Sequence, residues 1–208
     1  MKRLFGGLKM RWPHVLLFAL LAGVYTAAVM LFSCLENTSF QDIGITFEWW
    51  VIFAVIIVTN CKKSWDAMLK CFVFFALSQP IVYAVEVLAG SISMDQALMY
   101  LHLWLPKILL TLPGGFIAYF CKKQNILGSI VLGLGNTIQA IMGVYFVGAV
   151  IRNFPYHLLS AIVCFASIGC MTFCIQKKTL NRIIAILIPA VLTVAVIIFA
   201  RLTGMSII

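Results

Sequence analysis

Seven apolar stretches separated by short polar breaks fill almost the whole chain, over 12–34, 43–60, 67–88, 99–121, 126–151, 158–175 and 183–204. A helix needs about 20 apolar residues to cross the hydrocarbon of a bilayer, and a spanning helix satisfies its own backbone groups where no water is present. The pattern therefore predicts an all-α, polytopic integral membrane bundle of seven transmembrane helices, forming a single domain over 1–208. The first stretch follows Lys2, Arg3, Lys9 and Arg11 as a signal peptide would. It is longer than a signal-peptide core, however, and reads as a retained span.

Polar positions inside these stretches carry the remaining information. The fourth holds Lys107 together with Pro106, Pro113 and the Gly114-Gly115 pair. Each proline removes a backbone donor, and an ammonium within a membrane segment is costly, faces protein or water, and calls for a partner. Lys107, Thr111 and Gly114 are spaced i, i+4, i+7 and share one face, as do Gln79, Tyr83 and Glu86 in the third stretch. The fifth contains Gly128, Gly133, Gly135, Gly143 and Gly148 with Asn136, Thr137 and Gln139. That composition predicts close packing of the fourth and fifth helices along their glycines, with amides bonded across helices. Ser160, Cys164, Ser167, Met171 and Cys174 form a packing seam in the sixth stretch, and the seventh reads as a lipid-facing wall.

Charge turns this pattern into a topology. Of 208 residues 63% are hydrophobic and 10% charged, with a mean hydropathy of +1.09; soluble domains carry about 25% charged residues. The net charge of +9 reflects basic residues clustered where apolar stretches end, a membrane-orientation signal, and nucleic acid is not a partner. Placing the N-terminus in the cytoplasm and the C-terminus outside puts 12 of the 15 basic residues on the cytoplasmic side of a cell membrane. Glu36, Asp42, Glu48, Glu86 and Asp95 then fall toward the outer side. The seven cysteines show no CxxC and no metal-ligand spacing; they read as buried small hydrophobes.

At about 1.5 Å of helical rise per residue, Gln79, Thr111, Asn136 and Gln139 fall near the bilayer midplane. Lys107 lies just outward of them, with Glu48 and Glu86 beyond as its candidate acidic partners. These residues and Tyr83 are the candidate solute site, among the second to fifth helices and open to the outer side, with Lys107 suited to an anionic group and the amides to polar ones. Ala19, Gly23 and Ala27 in the first stretch have the small-xxx-small spacing of close helix packing. With the compact size, that helix resembles the substrate-capturing membrane subunits of vitamin uptake systems. The expected function is a small transporter or solute-binding membrane subunit, working on a small polar or anionic solute and with a partner membrane or ATPase subunit. The alternative is an accessory or structural subunit whose polar residues serve helix assembly. No nucleophile elbow, phosphate loop or catalytic carboxylate pair is present, so neither an enzyme nor a metal or other cofactor is expected.

Overall fold

The computed structural model describes residues 4–203, without the side chains of residues 43–45, 47 and 48. Lys2, Arg3, Gly204 and the Glu48 side chain therefore lie outside the described residues. The described chain is an all-helical bundle: α1 (Trp12–Leu31), α2 (Ser39–Ile45), α3 (Phe47–Asn60), α4 (Ser64–Leu88), α5 (Met94–Ala118), α6 (Ile126–Arg152), α7 (Leu158–Ile175) and α8 (Thr179–Thr203). A 3-10 turn, Tyr119–Lys122, extends α5. Local chemistry sets several of these boundaries. Pro13 occupies the first turn of α1, where its missing N–H costs nothing. Ser93 and Gln96 form a reciprocal capping box at the start of α5, and the Asn125 side chain accepts from the Gly128 N–H at 2.9 Å to begin α6.

Six of these helices are long and apolar enough to cross a membrane. The second expected span, 43–60, is instead divided. Thr46 is extended (φ −94°, ψ 162°), which separates α2 from the 14 residues of α3. Fourteen residues rise about 21 Å, short of the ~30 Å hydrocarbon core.

The basic turns gather at one end of the bundle. The Asn60 carboxamide accepts from the Gly6 and Leu8 N–H groups at 3.1 and 2.7 Å and donates to the Leu4 carbonyl. Lys122 donates to the Cys61 carbonyl and the Tyr119 hydroxyl to the Lys62 carbonyl. Gln176 donates to the carbonyls of Cys121 and Lys123. Lys70 is buried beneath this end, where it donates to the Met10 carbonyl at 2.7 Å and pairs with Asp66 at 2.8 Å. Burial, and then the charge of Asp66, push the Cys61 thiol in the turn after α3 up to about 12, so it stays protonated and unreactive.

The principal helix interfaces pair α1 with α4, α4 with α5, α6 with α8 and α6 with α7, while α3 touches both groups. Its Ile57 and Val58 are fully buried, as are Phe74 of α4 and Leu132 of α6. α1 crosses α4 at Gly23, where an added Cβ would lie 2.8 Å from Ile81 Cβ and from the Ser78 carbonyl, with Ala19 and Ala27 fully buried alongside. The small residues of the first helix thus serve packing inside this bundle.

The expected glycine interface between the fourth and fifth stretches, now α5 and α6, does not form; these two helices meet only marginally. Gly115 packs against Cys71 and Met68 of α4, Gly133 against Ile188 of α8, and Gly143 against Phe165 and Cys164 of α7. Small residues permit close approach by any neighbour, and their spacing does not name which one. On α7, Ser160, Cys164, Ser167 and Met171 are buried as the seam predicts. On α8 a stripe of Ala185, Pro189 and Thr193 is buried and faces inward, so the lipid-facing expectation holds for the other faces alone.

Candidate functional site

Every expected site residue but Glu48, whose side chain lies outside the described residues, has a definite place, and these residues are spread over inward and outward faces of α4, α5 and α6. Gln79 and Glu86 are buried on α4. Tyr83 turns toward α5, its ring 5.7 Å from that of Tyr100. Asn136 and Gln139 are fully buried on α6. Thr111 donates to the Ile108 carbonyl of its own helix at 2.6 Å. Lys107 is exposed on the outside of the bundle.

Lys107 makes no ion pair among the described residues; its ammonium instead lies 4.1 Å from the centre of the Trp104 ring. The expected pairing with Glu86 is therefore absent, and that with Glu48 falls on an undescribed side chain. The cause is helix rotation. α5 buries Ala97, Ile108 and Gly115, and Lys107 is one residue, about 100° of helical turn, away from Ile108.

The buried amide of Asn136 has a structural duty that explains its position. Pro189 has no N–H, which leaves the Ala185 carbonyl four residues earlier without its helical partner. The Asn136 Nδ2 group donates to that carbonyl at 3.3 Å and to the Thr172 hydroxyl at 3.0 Å, tying α6 to both α8 and α7.

At the end opposite the basic turns, Asp42 of α2 holds the start of α7. One carboxylate oxygen accepts from the Ser160 hydroxyl at 2.6 Å and lies 2.9 Å from His157 Nδ1. Ser, His and Asp are all present, but the carboxylate stands between the other two. A catalytic triad needs the histidine between serine and acid, positioned to take the hydroxyl proton; this arrangement fastens helices. His157 also stacks on Phe146 at 6.0 Å.

An aromatic cleft of about 420 Å³ lies between α1, α2 and α3, lined by Leu21, Ala22, Tyr25, Thr26, Phe40, Trp49, Trp50 and Phe53. Its back wall is braced. Trp50 packs on Phe74 and Phe75 of α4 at 5.7 and 5.8 Å, and Phe53 on Phe18 and Phe74 at 5.9 and 5.7 Å. The Tyr25 hydroxyl donates to the Phe40 carbonyl at 3.1 Å, joining α1 to α2 across one edge. The Trp49 indole N–H is buried and has no hydrogen-bond partner among the described residues. A tryptophan pair near the start of an apolar stretch commonly lies at the membrane interface, whereas here both residues line the cleft. The recurrence of aromatics at 49, 50 and 53 was the signal that could have marked a shared wall.

Comparison with protein-family models, with curated proteins and with solved structures finds no match to this chain, so its functional reading stands on this geometry.

Proposed function

We propose that this multi-pass membrane protein is a solute-binding membrane subunit or small transporter whose ligand occupies the aromatic cleft between α1, α2 and α3. The observation that carries the reading is the aromatic space of about 420 Å³ whose back wall is braced by Trp50 and Phe53 on Phe74, within the usual range of small-molecule sites, about 300–1,000 Å³. Among the described residues the walls offer ring faces and the Tyr25 and Thr26 hydroxyls, and no charged side chain. They suit a largely apolar, ring-bearing solute better than the polar or anionic solute expected from Lys107 and the amides. With the basic turns cytoplasmic, the cleft lies toward the outer face of the cell membrane, within reach of solute from that side or from the outer leaflet.

Thermal unfolding of the purified protein against a panel of ring-bearing metabolites tests this. A ligand that binds only the folded state, at a hundred times its Kd, stabilises by about 2.7 kcal/mol. Ala22→Leu, which fills the cleft, should abolish the shift, and Trp49→Phe should weaken it. No stabilising solute, or equal stabilisation of Ala22→Leu, refutes the assignment. The accessory-subunit reading draws on the Asn136 bonds, which serve helix assembly.

A further inference from the structure

The segment that leads into α1 is strapped to the bundle at alternate residues. The Asn60 carboxamide accepts from the Leu8 N–H at 2.7 Å, the Lys70 ammonium donates to the Met10 carbonyl at 2.7 Å, and the Met10 side chain is buried. Arg11 is extended (φ −102°, ψ 161°), and side chains alternate along an extended chain. Burial of Met10 therefore turns Lys9 and Arg11 outward, and both are exposed. They open onto a cleft of about 380 Å³, lined by Leu8, Lys9, Met10, Arg11, His14 and Phe18. His14 adds a third donor: its Nδ1 accepts from the Arg11 N–H at 3.1 Å, which leaves the proton of the neutral ring on Nε2.

Charge and depth together select an occupant. Five of the six acids, Glu36, Asp42, Glu48, Glu86 and Asp95, lie at helix ends on the opposite side of the bundle, and residues 1–3 contain none. The sixth, Asp66, is committed to Lys70 at 2.8 Å. Lys9 and Arg11 accordingly make no ion pair among the described residues. The 20 residues of α1 begin directly after Arg11 and rise about 30 Å, the thickness of the hydrocarbon core. Lys9 and Arg11 thus stand at headgroup level, with the exposed Trp12 at the interface. Phe18, six residues further along α1, lies about 9 Å deeper. The cleft holds cations where phosphates lie and an apolar floor where acyl chains begin, a combination that a soluble anion would leave half unused.

We propose that this cleft binds the headgroup phosphate of an anionic phospholipid. Lys9, Arg11 and the His14 Nε2–H take the phosphate, and Leu8 and Phe18 meet the glycerol and the first acyl carbons. The site is separate from the aromatic cleft, which lies toward the other end of α1.

The test is native mass spectrometry of the full chain purified from vesicles of equimolar phosphatidylglycerol and phosphatidylcholine. Wild type should retain phosphatidylglycerol preferentially. One basic residue near an anionic membrane surface is worth about fivefold in affinity, so Lys9→Gln should lower the retained ratio about fivefold and Lys9→Gln with Arg11→Gln about 25-fold. Both side chains are exposed, so these variants should melt as wild type does. Lys177→Gln with Lys178→Gln removes the same charge from another exposed turn at this end and should leave the ratio unchanged. The proposal is overturned if the Lys9 and Arg11 double variant keeps the wild-type ratio, whether or not it releases an acidic polypeptide. It is equally overturned if the Lys177 and Lys178 variant lowers the ratio as much, which would mean diffuse attraction by the basic face. Inorganic phosphate replacing chloride at equal ionic strength should leave the lipid bound; its displacement would assign the cleft to a soluble anion and overturn the lipid. Should the double variant fail to fold, Lys9→Gln decides alone.

Discussion

Removing the Asn136 carboxamide should destabilise the bundle, and the amount should depend on Pro189. Asn136 donates to Thr172 at 3.0 Å and to the Ala185 carbonyl at 3.3 Å, and its site is fully buried. Interhelical hydrogen bonds in membrane proteins average about 0.6 kcal/mol and reach about 1.7. Asn136→Ala, which forfeits two, should therefore cost about 1–3 kcal/mol. Pro189→Ala restores an N–H that can bond to the Ala185 carbonyl within α8, so that carbonyl no longer depends on Asn136. In the Pro189→Ala background the cost of Asn136→Ala should fall by about one bond, a coupling of about 0.6–1.7 kcal/mol. Reversible unfolding in mixed micelles, measured for both single variants and the double, gives the coupling directly. Additive losses would show that the Asn136–Ala185 contact does not compensate for the proline.

Two further substitutions test the packing and the opposite end of the bundle. Gly23→Leu should sharply reduce folded yield, since even its Cβ would lie 2.8 Å from the α4 backbone and overpacking of this kind typically costs about 1–3 kcal/mol or more; a wild-type melting profile would refute the α1–α4 crossing. Asp42→Ala strips the Ser160 hydroxyl and His157 of their shared acceptor and should cost about 1–3 kcal/mol. Hydrogen exchange should accelerate in α2 and the first turn of α7, and unchanged protection there would remove Asp42 as the fastener.

The apolar pattern made the helical membrane bundle legible because lipid exposure and span length act on every residue of a helix. It could not set helix rotation. Lys107 and Ile108 differ by one position, yet one is exposed and the other buried. Glycine positions were likewise visible while their partners were not: Gly133 meets α8, Gly143 meets α7 and Gly135 meets open space. The break at Thr46 escaped because Gly44, two residues earlier, is a single glycine within an apolar run and does not by itself mark a helix break. Asn136 was found as a buried amide, but its duty depends on Pro189, 53 residues later, which only the α6–α8 contact reveals. Trp49 and Trp50 followed the common rule for span ends, and the packing of α3 against α1 and α4 made them cavity walls.

The most direct test of the solute site is photolabelling with a photoactivatable analogue of whichever ring-bearing compound stabilises the protein, followed by peptide mapping. The cleft assignment predicts label on residues 21–26 of α1 and 49–53 of α3, displaced by the unmodified compound and absent from Ala22→Leu. Label confined to other helices, or spread over the bundle surface without displacement, would contradict it.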